Sequence, residues 1–253
     1  MTDETMDRIR AQRWFYRFEL PDGQVTETYA GDEALRFHAD RLRMLDSALN
    51  ESFPDSLSRK TALDLACHQG FYSLHLAKRG LRRVLGVDVR REHVESANLI
   101  KSVHDLDQLE FRRGDVNESA PEDFEPADVV LLFGLIYHLE DPIRILRLAR
   151  RWTRGVCLIE TQIAAPLQKT ITWGAGTATK EMRGYFAVID ECAEARNHNL
   201  ETGVSGVCLC PSLEALLWIL RTIGFRQVDV VPPHAGASEA FVKGTRLMVK
   251  ASV

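Results

Sequence analysis

A doubly wound α/β fold, built on a mostly parallel sheet of seven strands, is predicted by three features of this sequence. From residue 61 onward short apolar runs alternate with amphipathic segments, the pattern of a parallel sheet covered on both faces. In ALDLACHQGFYSLHLA (62–77) an apolar strand ends near an acid, turns and re-enters as a helix. Two further apolar runs close the chain and bring the strand count to seven.

Taken in order, residues 14–29 (WFYRFELPDGQVTETY) read as a hairpin, because alternating aromatic and polar residues flank the turn-forming PDG. Gly31 and Asp32 open a helix reaching about Asn50, with Leu35, Leu42 and Leu45 on its apolar stripe. This hairpin–helix unit (1–52) is expected to cover a site's mouth. The sheet domain then comprises 53–161 and 211–253, with strands at 62–65, 84–87, 109–111, 129–133 and 156–159 and helices at 71–79, 91–103 and 140–152. Residues 162–210 break the rhythm with Gly174, Gly176, Gly184, Gly203 and Gly206 among Trp173, Tyr185 and Phe186. So long a stretch without structure is unusual, so partial helices and a lid or substrate subdomain are expected there. A helix over 212–223, capped by Ser212 and closed by Gly224, precedes the final strands at 227–231 and 246–251. Such sheets bind ligands beyond the carboxyl ends of the strands, where strand order reverses.

Composition narrows the function classes. The net charge of −4 gives no broad basic field for nucleic acid, and the five arginines of RILRLARRWTR (144–154) read as a solvated helix face. No run of about 18 apolar residues suggests a membrane span, and MTDETMDRIR lacks the apolar core of a signal peptide. Five irregularly spaced cysteines suit a reduced cytoplasm better than a disulfide framework. Cys208 and Cys210 are too close for the usual zinc pair and read as small buried residues, and the histidines show no metal-ligand spacing, so no metal is predicted.

The turn selects among cofactors. A dinucleotide cradle needs a second glycine where its backbone approaches the pyrophosphate, and this turn has one glycine, Gly70, with Ala66 and His68 at the other positions. S-adenosylmethionine carries no phosphate and asks the loop only to satisfy a carboxylate and an ammonium. Histidine is among the residues that tolerate a positive φ should position 68 require one. Asp88, ending the second strand, can accept both ribose hydroxyls; Asp115 can receive the adenine amine while Val116 contacts the ring; Asp64 can offset the ligand's charge. Val89 and Phe133, at the tips of the second and fourth strands, complete the expected cofactor contacts.

DLACHQGFYS, GVDVRREHVESA, FRRGDV and ADVVLLFGLIYHLEDP resemble the successive motifs of class I S-adenosylmethionine-dependent methyltransferases across 61–161. The resemblance implies the Rossmann-like methyltransferase fold, with an antiparallel terminal strand; glycine is usual in that family at the positions of Ala66 and His68. GLIYHLEDP, LIETQI, CPSLEALLWILRTIGF and GTRLMVKA are similar, more narrowly, to the tRNA wobble-uridine carboxymethyltransferases and their relatives. That similarity implies that Tyr137 and Arg246 would hold the extra carboxylate of a carboxylated donor, although the group's lysine before the first motif has no match here.

Methyl transfer from a sulfonium needs alignment and desolvation, and a base only when the acceptor must lose a proton. His138, after the fourth strand, is the leading base, or else packs at a helix start. Tyr137 could orient an acceptor oxygen or be a satisfied core tyrosine. Glu160 binds the acceptor or pairs with an arginine. Trp173, Tyr185 and Phe186 form an aromatic wall for a planar acceptor or pack a lid onto the body. The expected function is methylation of an oxygen or nitrogen on a small molecule or glycan. The alternatives are a methyl or carboxymethyl transferase for a tRNA wobble nucleotide and a non-catalytic S-adenosylmethionine-binding protein. A homodimer through the lid segment is a further expectation, and no membrane partner is expected.

Overall fold

The computed structural model describes residues 3–165, 170–173, 178–196 and 199–253. Helix α1 (Asp3–Ala11) and helix α2 (Asp32–Ser52) precede the alternating body. That body runs β1 (Thr61–Leu65), α3 (Phe71–Lys78), β2 (Arg83–Asp88), α4 (Arg91–Lys101), β3 (Leu109–Arg113), β4 (Ala127–Phe133), α5 (Pro142–Trp152) and β5 (Thr153–Gln162). Between β5 and the next helix lie β6 (Thr170–Trp173), β7 (Ala178–Glu181), β8 (Phe186–Asp190), α6 (Cys192–Arg196) and β9 (Val207–Pro211). The chain closes with α7 (Leu213–Thr222), β10 (Gln227–Val231), α8 (Glu239–Val242) and β11 (Arg246–Ser252).

Seven strands form one sheet in the order β3-β2-β1-β4-β5-β11-β10. All pairings are parallel except those of β11, which runs antiparallel to both β5 and β10. The central strands are buried along nearly their whole length, as continuous apolar strands require when helices cover both faces. One face packs on Leu45, Leu49, Leu74, Leu76, Ala97 and Ile100 of α2, α3 and α4. The other packs on Ile145, Leu146, Leu148, Leu216 and Leu220 of α5 and α7. Strand order reverses at β1, between β2 and β4, so the crevice beyond their carboxyl ends is the place for a ligand.

The N-terminal part and the segment before α7 differ in detail from what the sequence suggests. The segment 14–29 folds back at Gly23 as an irregular hairpin: the Thr26 N–H donates to the Phe18 carbonyl and the Leu20 N–H to the Gln24 carbonyl, both at 2.9 Å, with isolated bridges from Trp14 to Thr28 and from Glu19 to Val25. Its alternating residues Trp14, Tyr16, Phe18 and Leu20 are buried in the core cluster shared with α2 and α3. Helix α1 was not foreseen, because DETMDRIRA is mostly polar; Met6 and Ile9 supply its short buried face. The stretch expected to hold partial helices forms two antiparallel strand pairs, β6–β7 and β8–β9, with α6 of five residues as its described helix. No helix among the described residues is long and apolar enough to cross a membrane.

Candidate functional site

A cavity of about 710 Å³ opens beyond the carboxyl ends of β1, β2 and β4. Its floor is the turn after β1. Ala66 and His68 hold φ of 59° and 53°, and Gly70 follows at 80°. The left-handed conformations usually supplied by glycine are therefore retained by an alanine and a histidine; such a conformation costs an L-residue roughly 1–2 kcal/mol, less for histidine, which tolerates it better. The strain has a compensation. The His68 N–H donates to Asp88 Oδ2 at 2.8 Å, and the Cys67 N–H donates to the Val87 carbonyl at 3.0 Å, so the turn is tied to the end of β2.

Asp88 Oδ1 also accepts the Arg90 N–H at 2.9 Å and lies 3.2 Å from His93 Nδ1. Burial alone would raise this carboxyl's pKa, but the hydrogen bond and charge of His93 with the Arg90 amide outweigh it, and the pKa is lowered. An ionised acceptor thus faces the cavity, with Val89 beside it and Asp115 and Val116 on the wall after β3. Asp115 Oδ1 is held by the Asn117 backbone at 2.9 Å and side-chain nitrogen at 3.0 Å. Phe133 and Gly134 line the end of β4. An anionic acceptor between apolar walls, floored by a turn without a phosphate cradle, fits the sugar and base of S-adenosylmethionine. Asp88, Val89, Asp115, Val116 and Phe133 would hold it.

Two residues expected at the cofactor lie off the cavity wall. Asp64 is buried and accepts Ser73 Oγ at 2.6 Å, and burial pushes its pKa up to about 7. Gly70 serves packing instead: a Cβ there would sit 2.4 Å from Phe111 Cζ. Only a bare α-carbon lets α3 start so close to the aromatic ring.

Another end of the cavity is built from β4, β5, β11 and α2. Tyr137 and His138 occupy a short 3-10 turn after β4 and line the cavity with Arg246. The Arg246 guanidinium contacts the Tyr137 hydroxyl. Glu160 is corrected as an acceptor-binding residue. It is fully buried, lies 2.5 Å from Arg41 Nη2 and 3.2 Å from Arg246 Nε, and accepts the Gly134 N–H at 3.1 Å. The alternative, pairing with arginine, is what the structure shows. Arg41 and Arg246 also flank the Phe37 ring, at 4.2 and 4.7 Å from its centroid. Two guanidiniums around one carboxylate leave a positive excess at this end of the cavity.

His138 Nδ1 meets both Glu191 oxygens, at 2.9 and 3.0 Å. Burial lowers the imidazole's pKa, more than the Glu191 bond and charge restore it. On the opposite side, His68 Nε2 lies 3.0 Å from Glu201 Oε2, and the Tyr29 hydroxyl donates to Glu201 Oε1 at 2.6 Å. Residues 200–204 thereby form part of the cavity wall. Two sets, His68–His93–Glu201 and His138–Glu191–Cys208, bring ligand-type atoms within 4.8 Å of one another, which sequence spacing did not foresee. Both are knit by hydrogen bonds or ring contacts, the His68 and His93 rings lying 3.6 Å apart.

Tyr185 is not at the cavity. Its backbone exchanges hydrogen bonds with Ser212 at the start of α7, and Phe186 packs on the apolar layer there. Neither forms the expected aromatic wall, and the Trp173 side chain lies outside the described residues. The aromatic lining comes instead from Phe15, Tyr16 and Phe37. Arg41, His38, Glu191 and Glu201 were missed by sequence reasoning. Ala34, Phe37, His38 and Arg41 do recur at helical spacing along α2, a second face that was legible. The two glutamates carried no local signal.

A family model described as a methyltransferase domain matches residues 56–201. A tRNA U34 carboxymethyltransferase of Desulfotalea psychrophila is 32% identical over 146 residues, covering 57% of this chain and 45% of that protein. A ubiquinone biosynthesis O-methyltransferase of Neisseria meningitidis serogroup C is 31% identical over 94 residues, 36% of this chain and 38% of that one. The matches thus span less than half the length of these relatives. Among solved structures, the N-terminal domain of EvdMO1 in the presence of SAH and D-fucose superposes with a TM-score of 0.67 at 20% identity, covering 100% of this chain and 97% of that one. Magnesium protoporphyrin IX methyltransferase of Synechocystis with bound SAH gives 0.56 at 14% identity, covering 98% and 93%. At these identities the likeness is one of fold.

Proposed function

This chain belongs to the methyltransferase-domain family of S-adenosylmethionine-dependent enzymes, and from that premise we propose that it methylates an oxygen or nitrogen of a small molecule or glycan. S-adenosylmethionine supplies an electrophilic methyl group on a sulfonium. Asp88 grips the sugar, Asp115 and Val116 the base, and the strained turn at Ala66 and His68 receives the polar tail. Tyr137 and His138 stand on the same cavity, and His138 takes the acceptor's proton. Apolar and aromatic walls from Phe15, Tyr16 and Phe37 exclude water from the reacting atoms.

The observation that carries this reading is the joining of Asp88 and His138 in one cavity whose wall is completed by residues 200–204. The test is incubation with S-adenosylmethionine and a panel of sugars, phenols and amines, following S-adenosylhomocysteine by mass spectrometry. Release dependent on one acceptor class is expected. No binding of S-adenosylmethionine by calorimetry would overturn it.

The Arg246–Tyr137 contact, with Arg41 beside it, favours a second reading. That end of the cavity suits the carboxylate of a carboxylated donor, with a tRNA wobble nucleotide as acceptor. Tighter binding of carboxy-S-adenosylmethionine than of S-adenosylmethionine, together with salt-dependent tRNA binding, would select it.

A further inference from the structure

We propose that Glu191, carried by the segment between β5 and α7, is the positioning residue of His138: it holds the proton on Nδ1 and leaves Nε2 to receive one from the acceptor. The proposal deepens the methyl-transfer reading and rests on it.

The contact is built from both sides. Glu191 directly follows β8, and its two oxygens lie 2.9 and 3.0 Å from His138 Nδ1. The carboxylate does not swing freely, because Oε2 also accepts the Gly203 N–H at 2.8 Å and the Cys208 thiol at 3.3 Å. Gly203 makes the approach possible: a Cβ there would stand 2.5 Å from the His138 carbonyl oxygen. The Leu209 N–H donates to the Leu139 carbonyl at 2.9 Å, which seats β9 on the turn that presents His138. Nε2 has no hydrogen-bond partner among the described residues, while the ring lines the cavity.

A carboxylate accepts only, so Nδ1 must donate, and the tautomer with a bare Nε2 lone pair is selected. Burial, Arg246 and Glu191 act together on this imidazole: the first two disfavour its charged form, and Glu191 and the more distant Glu160 favour it. Tyr137, its ring centroid 4.2 Å away, and the Cys208 thiol complete the titratable surroundings. The group is therefore neutral near pH 7 and has a counter-charge ready when it becomes charged. In the step itself the acceptor's lone pair forms the bond to the methyl carbon, and the electron pair of the breaking S–C bond stays on sulfur. The acceptor's proton passes to Nε2, and the resulting imidazolium faces Glu191 until water takes the proton. The base is complete only while this segment is docked on the sheet domain.

The test uses the full chain labelled with ¹⁵N-histidine and long-range ¹H–¹⁵N correlation. In the wild type at pH 8 the His138 signals are expected to show a protonated Nδ1 and an unprotonated Nε2. Glu191→Ala should shift the population toward the Nε2–H form. Glu191→Gln, near-isosteric and still an acceptor, should keep the tautomer but lower the imidazole's pKa. With whichever acceptor the panel identifies, Glu191→Ala should reduce kcat by about a hundredfold, within the range of general-base contributions, at unchanged KM for S-adenosylmethionine. Glu191→Gln should move the acid limb of the pH profile to lower pH. A wild-type Nε2–H tautomer, or signals unmoved in Glu191→Ala, would overturn the assignment. Calorimetry separates the two levels. Loss of S-adenosylmethionine binding in the wild type defeats the methyl-transfer reading while the tautomer still decides the contact; intact binding with an unmoved tautomer defeats only Glu191.

Discussion

The backbone N–H of His68 donates to Asp88 Oδ2 at 2.8 Å, so the turn after β1 and the acid ending β2 act as one unit. The same carboxylate serves Arg90 and His93. Asp88→Ala removes the proposed ribose acceptor and also frees the strained turn. Hydrogen bonds to a charged group contribute about 1.5–3 kcal/mol each, so S-adenosylmethionine affinity should fall at least about tenfold. Isothermal titration decides it, and an unchanged Kd would remove Asp88 from the site.

Gly70→Ala addresses the other end of that turn. A Cβ would stand 2.4 Å from Phe111 Cζ on a backbone at φ +80°. Left-handed strain of roughly 1–2 kcal/mol adds to overpacking of about 1–3 kcal/mol. A lowered urea midpoint is expected, with S-adenosylmethionine affinity preserved in the folded fraction, since Gly70 does not line the cavity. Full stability would mean that Phe111 moves freely, contrary to its buried packing.

The sheet was legible because each strand is an apolar run with helical periodicity between runs, and 227–231 was placed to the residue. The acids at strand ends were legible for the same reason: position in the strand fixes where a side chain emerges. What escaped notice depends on pairings far apart in the chain. Glu191 meets His138 across 53 residues and Glu201 meets His68 across 133, and no local spacing encodes either. Asp64 looked like a ligand contact, yet Ser73 on the first turns of α3 takes its oxygen. The pairs β8–β9 and β6–β7 were hidden because FAVID and VCLCP carry apolar residues at adjacent positions, which masks a period of two, and TITW and ATKE are only four residues long.

Glu160 lies between Arg41 and Arg246 with no exposed surface. Burial opposes the charge on Arg41, and Glu160 together with Tyr72, Tyr137 and Tyr16 outweighs it, so the guanidinium's pKa is raised. Glu160→Gln strands a buried arginine, and breaking such pairs costs about 3–5 kcal/mol. Chemical denaturation should register a loss of that order. A variant as stable as the wild type but without turnover would restore Glu160 as a group acting on the acceptor.

Asp64 gives the fold a pH dependence of its own. Burial raises its pKa from 3.8 to about 7. Below the unfolded value both states hold the proton. As pH rises between about 4 and 7 the unfolded chain ionises while the folded one resists, so stability falls by an amount on the order of a few kcal/mol. Asp64→Asn, which still accepts from Ser73, should flatten this fall between pH 5 and 8. The measurement is the urea midpoint at both pH values, and equal slopes for the two proteins would exclude Asp64 as the source.

The wall formed by residues 200–204 is fastened by Glu201, which joins His68 at 3.0 Å and Tyr29 at 2.6 Å, and by Arg90, which donates to the Thr202 carbonyl at 2.8 Å. These bonds fasten the wall to the turn at His68 and to Arg90, two residues past Asp88, and cofactor exchange is expected to open them. Glu201→Ala removes two bonds to a charged carboxylate, each contributing about 1.5–3 kcal/mol. Opening should then become at least about tenfold more frequent. Stopped-flow binding of S-adenosylmethionine should show association and dissociation both accelerated, with the equilibrium Kd changed less than either rate. Acceleration of dissociation alone would instead make Glu201 a direct ligand contact, because a group that only gates access alters both rates together.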